Sequence, residues 1–549
     1  MARTLHAASK MPAIVFCMSR KRCVEGAKAV AELNLLTDKR GDKEPEPPRN
    51  ADAPALARWR AEQAKKEMSA RANKVARDTM HRTHLQRYMP ELGTLEAYTE
   101  VMALLDRGVA YHHGGMLPVL REFVELCFQQ KLVKLVFATE TLAVGVNMPA
   151  RSVVFTQLDK PNDGNTAGHR PLRPDEFWQM AGRAGRRGMD DLGYVIYAPT
   201  LSVAGLRNMA TPGNVCEMST GKMPAASSQL VIDPPFVLRH LNRSIGKEVL
   251  AKTLLANQLD RQSKALLHKL TNSAGGADAA ALTHAAKQLD EIESRLAPSS
   301  ADQLKVKLSQ PQIKALVADA QALREKHGPK IDEVRLASGQ RAQSQATIET
   351  NRNVLGGQWD GVINKLVELG CVDQHDASKL TARGRTCAAF AEGHPLIIGT
   401  MIADGYLNDL SAGEICAWLC LFLKESRLED PMDCPLKPEP MSRALEDVFH
   451  ATYNLADYLG VDLDANLSRI MLDWCTHKSI QNVAAWVDPH VLGSFVKAVM
   501  RVVSYIDVVR EVLLGLGHYE LHARLDHHME MLLGGLVTNE SLYLRMGDF

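Results

Sequence analysis

The stretch VKLVFATETLAVGVNMPARSVVFTQL (133–158) decides the fold class. Two short apolar runs, VKLVFA (133–138) and RSVVFTQL (151–158), bracket a polar segment. Runs of this length, bounded by polar residues and rich in valine and phenylalanine, read as strands buried on both faces, and therefore as parts of a parallel sheet. A third run, PAIVFC (12–17), lies upstream, and longer helical patterns separate the three as in successive βαβ units. Open sheets of this kind bind ligands beyond the carboxyl ends of their strands. Thr139, Glu140 and Thr141 emerge at such an end, and Gly145 and Asn147 follow in a segment able to bring backbone amides close to a ligand. Taken alone, a strand running into a threonine-capped helix accounts for the same pattern.

The texture changes near residue 200, after which strand patterns nearly vanish. Residues 246–350 are rich in Ala, Leu, Lys and Gln and broken at SAGGAD and APSS, which predicts helices folded back on one another as an antiparallel stalk. From about 351 onward the chain reads as helical. Residues 38–54 combine charge with four prolines and read as a flexible loop. No internal repeat of fixed period is present. With 549 residues the chain exceeds what one core can organise.

A net charge of +1 argues against a global polyanion-binding surface and confines any nucleic-acid contact to local patches. Residues 58–88 form one such patch, with nine Lys/Arg against three Asp/Glu; it reads either as a phosphate-binding stripe or as a solvated helix face. No apolar run is long enough to span a bilayer, so no membrane contact is expected and the expected location is intracellular, nuclear or cytoplasmic. Ten cysteines without a C-x-x-C pair fit free thiols in a reducing compartment. Cys416 and Cys420, one helical turn apart in EICAWLCLFL, read as core residues, and no metal site is expected.

EFWQMAGRAGRRGMDD (176–191) carries three glycines and three arginines. Read as one helix over 175–187, it places Gln179, Arg183 and Arg186 on a shared face. Each of Gly182, Gly185 and Gly188 costs a helix about 1 kcal/mol relative to alanine, so the pattern suits a surface that something else approaches closely. Guanidinium forks match phosphate oxygens and can stabilise charge during phosphoryl transfer. Yet the 549 residues hold no G-x-x-x-x-G-K-[ST] loop.

PAIVFCMSRKRCVEGA (12–27), AYHHGGMLPVLREFVELCFQQKLVKLVFATETLAVGVNMPARSVVF (110–155) and QMAGRAGRRGMDD (179–191) resemble consecutive motifs of the superkiller-like, exosome-associated RNA helicases of superfamily 2. The resemblance implies a second RecA-like domain over 1–200, with Gln179, Arg183 and Arg186 facing the phosphates of ATP bound with Mg2+. It further implies Gly145 and Asn147 near the nucleotide, and Gly114, Gly115, Thr139 and Thr141 along the backbone of single-stranded RNA. Downstream it implies a winged-helix domain in two parts, 201–250 and 351–373, a helical stalk over 251–350 in place of the family's arch, and a C-terminal helical bundle over 374–549. GSFVKAVMRVV (493–503) falls at the family's ratchet helix, with Lys497 and Arg501 at its basic positions; on their own these two read equally as a solvated edge. KLVELGCVDQHDASKLTARGRTCAAFAEGHPLIIGTMIADGYLNDLSAGEICAWLCLFL (365–423) is similar to the start of the family's C-terminal helical domain, and LTARGR (380–385) and ESLYL (540–544) resemble the RNA-processing branch.

The family's first RecA-like domain, with its phosphate-binding loop and D-E-x-H box, has no counterpart in the sequence. The D-E-V at Asp332–Val334 is followed by Arg335 and lies in the stalk. The expectation is a chain that alone hydrolyses no ATP and needs a first RecA-like domain from elsewhere, supplied by a separate chain in one reading, with the RNA exosome or adaptor proteins as further partners. A non-enzymatic RNA-binding scaffold and a DNA-repair helicase of the same superfamily are the alternative readings.

Overall fold

The computed structural model describes residues 1–36, 52–144, 148–162, 167–198, 211–224, 228–272, 277–296, 309–423 and 440–547. Gly145 and Asn147 lie outside the described residues, as does 38–51 of the expected loop; from Ala53 the chain is helical.

The chain divides into two compact units, residues 1–225, 392–397 and 404–549 forming one, and 226–391 with 398–403 the other. At the centre of the first is a parallel sheet of β1 (Ala13–Phe16), β2 (Val109–His112), β3 (Leu135–Ala138), β4 (Ser152–Phe155) and β7 (Tyr194–Tyr197), in the order β2-β3-β1-β4-β7. The register pairs Ala13 with Leu135 and with Ser152, and Val109 with Leu135. The three runs expected to be strands are β1, β3 and β4, every residue of which is buried. β7 is a half-buried edge strand. The Pro118–Gln129 helix opens on a proline, which costs nothing where the amide has no intrahelical partner, and buries Leu120, Phe123, Val124 and Cys127. Phe155 is fully buried and touches both Phe16, at 5.9 Å between ring centroids, and Phe177, stacked at 5.1 Å. It thereby ties the sheet to the Pro174–Ala181 helix.

A two-stranded hairpin, β5 (Asp159–Pro161) with β6 (His169–Pro171), leaves β4 before that helix. The Ala53–His84 helix buries only Arg77 and His84, and its Arg58, Arg60, Lys65, Arg71 and Lys74 are exposed, so the basic stretch lies on an open helix face.

The C-terminal helices of this unit pack around two tryptophans. Trp418 donates its indole N–H to Thr452 Oγ1 at 2.9 Å, and Trp474 to the Leu532 carbonyl at 3.0 Å while meeting Phe495 edge-on. Cys416 and Cys420 are buried in this core; a hydrogen bond with Cys475 together with burial holds the Cys416 thiol well above the ordinary cysteine range, and burial does the same for Cys420. The described cysteines are all free thiols.

The second unit contains the helices Leu254–Asn272, Ala277–Leu296, Gln310–His327 and Lys330–Glu368. Ala285, Ala286, Leu289 and Ile331 make a small core, framed by Arg335 pairing with Asp290 and Glu293, each at 2.6 Å. Arg335, which broke the apparent D-E-x-H box, thus ties the Lys330–Glu368 helix to the Ala277–Leu296 helix. Position 350 is no break in the chain's structure, because one helix runs unbroken from Lys330 to Glu368. Its second half meets the Pro234–Leu241 helix, Trp359 lying edge-on to Phe236 at 6.2 Å.

Phe155→Ala removes the ring that both layers share. The expected cost is about 3–5 kcal/mol in urea unfolding of the first unit, and a cost under 1 kcal/mol would mean that the helix is not held through this ring.

Candidate functional site

The carboxyl ends of β2 and β3 lie side by side, and the chain leaves both through short polar turns. After β2, His113 is fully buried, stacks on Tyr111 at 5.5 Å and accepts the Gly115 amide at Nδ1 over 3.2 Å. That bond fixes the turn carrying Gly114 and Gly115. After β3, Thr139 and Thr141 share a hydrogen bond of 2.8 Å between their hydroxyls. A Cβ on Gly114 would sit 3.8 Å from the Thr141 methyl and 3.5 Å from Lys497 Nζ.

Lys497 comes from the Leu492–Leu516 helix, more than 350 residues downstream, and its ammonium donates to the Gly114 carbonyl at 2.6 Å. The first turn of that helix approaches closely too. The Gly493 amide donates to the Gly115 carbonyl at 2.9 Å, and a Cβ on Gly493 would fall 1.8 Å from the Met116 carbonyl oxygen, so only glycine fits. Arg20 at the start of the Arg20–Val30 helix reaches Ser494 Oγ at 3.4 Å. Of the residues expected along an RNA backbone, Gly114, Gly115, Thr139, Thr141 and Lys497 are therefore one cluster, while Arg501 sits one turn farther along the helix and is exposed. Sequence reasoning missed Arg20, Gly493 and Ser494. The start of GSFVKAVMRVV held the signal, since a glycine followed by a serine opens an otherwise apolar helix.

The arginine stretch departs from the expectation. The helix ends at Ala181, so Gln179 is helical whereas Arg183 and Arg186 lie in the turns that follow, and the shared helical face over 175–187 does not exist. Gly182 ends the helix, and Gly185 takes φ +90°, a conformation that disfavours any side chain. The close approach that the glycines permit is by the chain itself: Gly185 N bonds the Ala150 carbonyl at 2.7 Å, and Gly193 packs on Ala184. Gln179 is exposed. Arg183 donates to the Ala143 carbonyl, and Arg186 forks onto Asp190 with bonds of 2.7 and 2.8 Å. That fork holds the Asp190 carboxyl at about 2.

An ionic network joins the two turn regions. Lys160 on β5 reaches both Glu140 oxygens, at 2.9 and 3.2 Å, and Glu176 at 3.2 Å. Arg170, opposite Lys160 in the hairpin, grips Glu176 bidentately at 2.7 and 2.8 Å, and the Arg173 backbone amide adds a bond of 2.9 Å. Burial of Glu176 opposes ionisation, but Arg170, the Arg173 amide and Lys160 together hold it at about 2.

The C-terminal ESLYL segment closes on the same unit. Glu122 accepts from Ser541 Oγ and the Leu542 amide, Glu125 from the Tyr543 hydroxyl at 2.6 Å and from His112 Nε2 at 2.6 Å, and Arg87 pairs with Glu540 at 2.6 Å. Burial opposes ionisation of Glu125, yet the His112 and Tyr543 bonds keep its carboxyl below the ordinary range.

Residues 83–188 match the helicase conserved C-terminal domain, and residues 377–539 match the DSHCT (NUC185) domain. The antiviral helicase SKI2 of Saccharomyces cerevisiae is 36% identical over 197 residues, 35% of this chain and 12% of the yeast protein. The human superkiller complex protein 2 is 39% identical over 197 residues, 35% of this chain and 13% of its own. The human exosome RNA helicase MTR4 is 48% identical over 120 residues, 21% of this chain and 11% of its own. The chain carries the C-terminal portion of a Ski2-like superfamily 2 helicase. It spans 11–13% of the length of these Ski2-like relatives. Among the described residues no helix is long and apolar enough to cross a membrane, and no group of His, Cys, Asp and Glu is placed to hold a metal ion.

Glu176→Gln takes the carboxylate from Arg170 and one of the two from Lys160, which keeps Glu140, and is expected to cost about 2–3 kcal/mol at neutral pH. Because the folded carboxyl lies below its unfolded value, that contribution is complete above about pH 5 and fades as pH falls from about 4.5 toward 2. Urea unfolding of both proteins from pH 7 to pH 3 checks this; a difference independent of pH would assign the loss to packing.

Proposed function

We propose that this chain forms the second RecA-like half and the strand-guiding helical bundle of an ATP-dependent RNA helicase acting in exosome-linked RNA processing. The observation that carries the reading is the Lys497–Gly114 bond at 2.6 Å, which sets an ammonium from the 492–516 helix against the Gly114, Gly115, Thr139 and Thr141 turns. Hydroxyls, backbone amides and one ammonium in a row suit phosphates and sugars rather than base edges, so binding is weakly dependent on sequence. Arg501, exposed on the same helix, extends the basic line.

Gln179, Arg183 and Arg186 form one wall of an ATP site. The donor set fits phosphate oxygens. In this reading the metal ligands and the phosphate-binding loop are supplied by a first RecA-like domain, on the same polypeptide or another. Gly145 and Asn147 are assigned to the nucleotide on the motif alone. The Pro234–Leu241 helix, packed against the second half of the 330–368 helix, supports a winged-helix assignment for 201–250 with 351–373. Relatives named for a superkiller complex and for the exosome make those assemblies the partners to test.

Replacing Lys497 and Arg501 with alanine is expected to weaken single-stranded RNA binding for every sequence and to make the salt slope shallower by about one to two units, at ~0.7 per phosphate contact. An unchanged slope would return both residues to the solvated edge. In the same titrations RNA is expected to bind several-fold more tightly than DNA of equal sequence; equal or tighter DNA binding would favour a repair helicase.

The 549 residues alone are expected to hydrolyse ATP at background rate, and RNA-stimulated turnover by them would overturn the one-wall reading. With a first RecA-like domain supplied, Arg186→Lys is expected to cut turnover by orders of magnitude, because lysine cannot form the fork. Undiminished turnover would leave Arg186 as a partner of Asp190 and nothing more.

A further inference from the structure

Lys160 belongs to neither of the two clusters, yet it touches both of the elements that carry them. Glu140, which it holds through two oxygens, lies between Thr139 and Thr141. Glu176, 3.2 Å away on the other side, lies one helical turn before Gln179 in the Pro174–Ala181 helix. The lysine is carried by β5, whose pairing with β6 places Arg170 opposite it and on the same carboxylate. Its side chain is 19% exposed, so its charge is only partly screened, and although burial opposes protonation, Glu140 and Glu176 hold the ammonium above the ordinary lysine range. Glu140 is more exposed, at 44%, and its ion pair among the described residues is with Lys160. Glu176, by contrast, keeps Arg170 and Arg173 when Lys160 is removed. The bridge is thus asymmetric, firmly built into the helix and held to the threonine turn by one cation.

We propose that Lys160 is a positioning residue that couples the threonine turn after β3 to the helix carrying Gln179, so that a phosphate arriving at Thr139 and Thr141 is felt at the nucleotide wall. The inference rests on the RNA and ATP assignments made above. Its physical basis is electrostatic. A phosphodiester beside Thr139 and Thr141 brings negative charge next to Glu140, and Lys160 is the group that can answer by shifting between the two carboxylates. Coupling of this kind runs through ion pairs with more than one available partner, and Lys160 has two. A second link, a charge-assisted hydrogen bond from the Arg183 guanidinium to the Ala143 carbonyl, lies in parallel, so loss of Lys160 weakens the coupling without abolishing it.

Hydrogen–deuterium exchange on the full 549-residue chain, with and without saturating oligouridylate, tests the bridge without requiring ATP turnover. In the wild type, RNA is expected to slow exchange both in 139–143 and in 174–181. In Lys160→Met, RNA affinity is expected to stay within about threefold and protection of 139–143 to persist, while the RNA-dependent protection of 174–181 falls by half or more. Lys160→Arg should restore it, and Glu140→Gln, which removes the exposed end of the bridge and leaves Glu176 intact, should reproduce the loss. A general loosening would raise exchange in 174–181 with and without RNA alike and leave the RNA-dependent difference in place; that result overturns the proposal, as does full protection of 174–181 in either Lys160→Met or Glu140→Gln. Failure of the wild type to bind oligouridylate at all would instead sink the RNA reading, and the coupling with it.

Discussion

The structure of the site depends on a backbone-to-backbone approach. Gly493 opens the 492–516 helix against the carbonyls of Gly115 and Met116, close enough that a single methyl group would collide at 1.8 Å. Because the helix starts there, Lys497 one turn later reaches the Gly114 carbonyl and Ser494 comes within reach of Arg20. A side-chain contact could adjust by a rotamer change, but an amide donating to a carbonyl across a gap that excludes Cβ cannot. The helix and the glycine turn after β2 therefore fix each other, and the basic side chains along the helix take their position from that contact.

The arginine wall shows a different solution to holding charge. Arg183 and Arg186 are only partly exposed, and each guanidinium has a partner within the chain, a carbonyl in one case and a carboxylate in the other. The Asp190 fork raises the affinity of Arg186 for its proton and keeps the side chain extended in one orientation. A planar cation held in this way loses little conformational freedom on meeting an anion, which is what a preorganised electrostatic wall requires. Gly185 and Gly193 belong to this arrangement. They let the turn carrying Arg186 lie against Ala150 and Ala184 rather than continue as helix.

The parallel sheet was legible in the sequence because its central strands are buried on both faces and read as unbroken apolar runs. β7 was not, since YVIY at a half-exposed edge lacks that signature, and neither was the end of the 174–181 helix. Helical spacing described Gln179 correctly and failed beyond Gly182, where backbone hydrogen bonds of Ala150 with the Arg183 carbonyl and the Gly185 amide outweigh the propensity of the following residues. Among site residues, Thr139 and Thr141 followed from a strand end, whereas Gly114, Gly115 and the role of Lys497 came only with the family resemblance, because a basic residue on an apolar helix reads equally as a solvated edge. Lys160 was invisible, because a lysine beside a proline in a polar hairpin acquires meaning only when Glu140 and Glu176, 20 residues before and 16 after, are brought to it.

The ESLYL segment closes this logic. β2 ends at His112, and the direction in which the chain leaves it sets where Gly114 and Gly115 lie. His112 is held by Glu125, and Glu125 is held in turn by Tyr543 from the far end of the chain. Burying that carboxylate would be costly alone; with hydrogen bonds from His112 and Tyr543, and Arg121 nearby, it stays ionised and rigid. The glycine turn is therefore clamped from two directions, by Gly493 and Lys497 on the open side and by Tyr543 through Glu125 and His112 on the buried side. Both clamps come from the C-terminal helical region, so the glycine turn after β2 takes its shape from residues more than 350 positions away, and a sheet taken without them would keep its strands and lose the geometry of their ends.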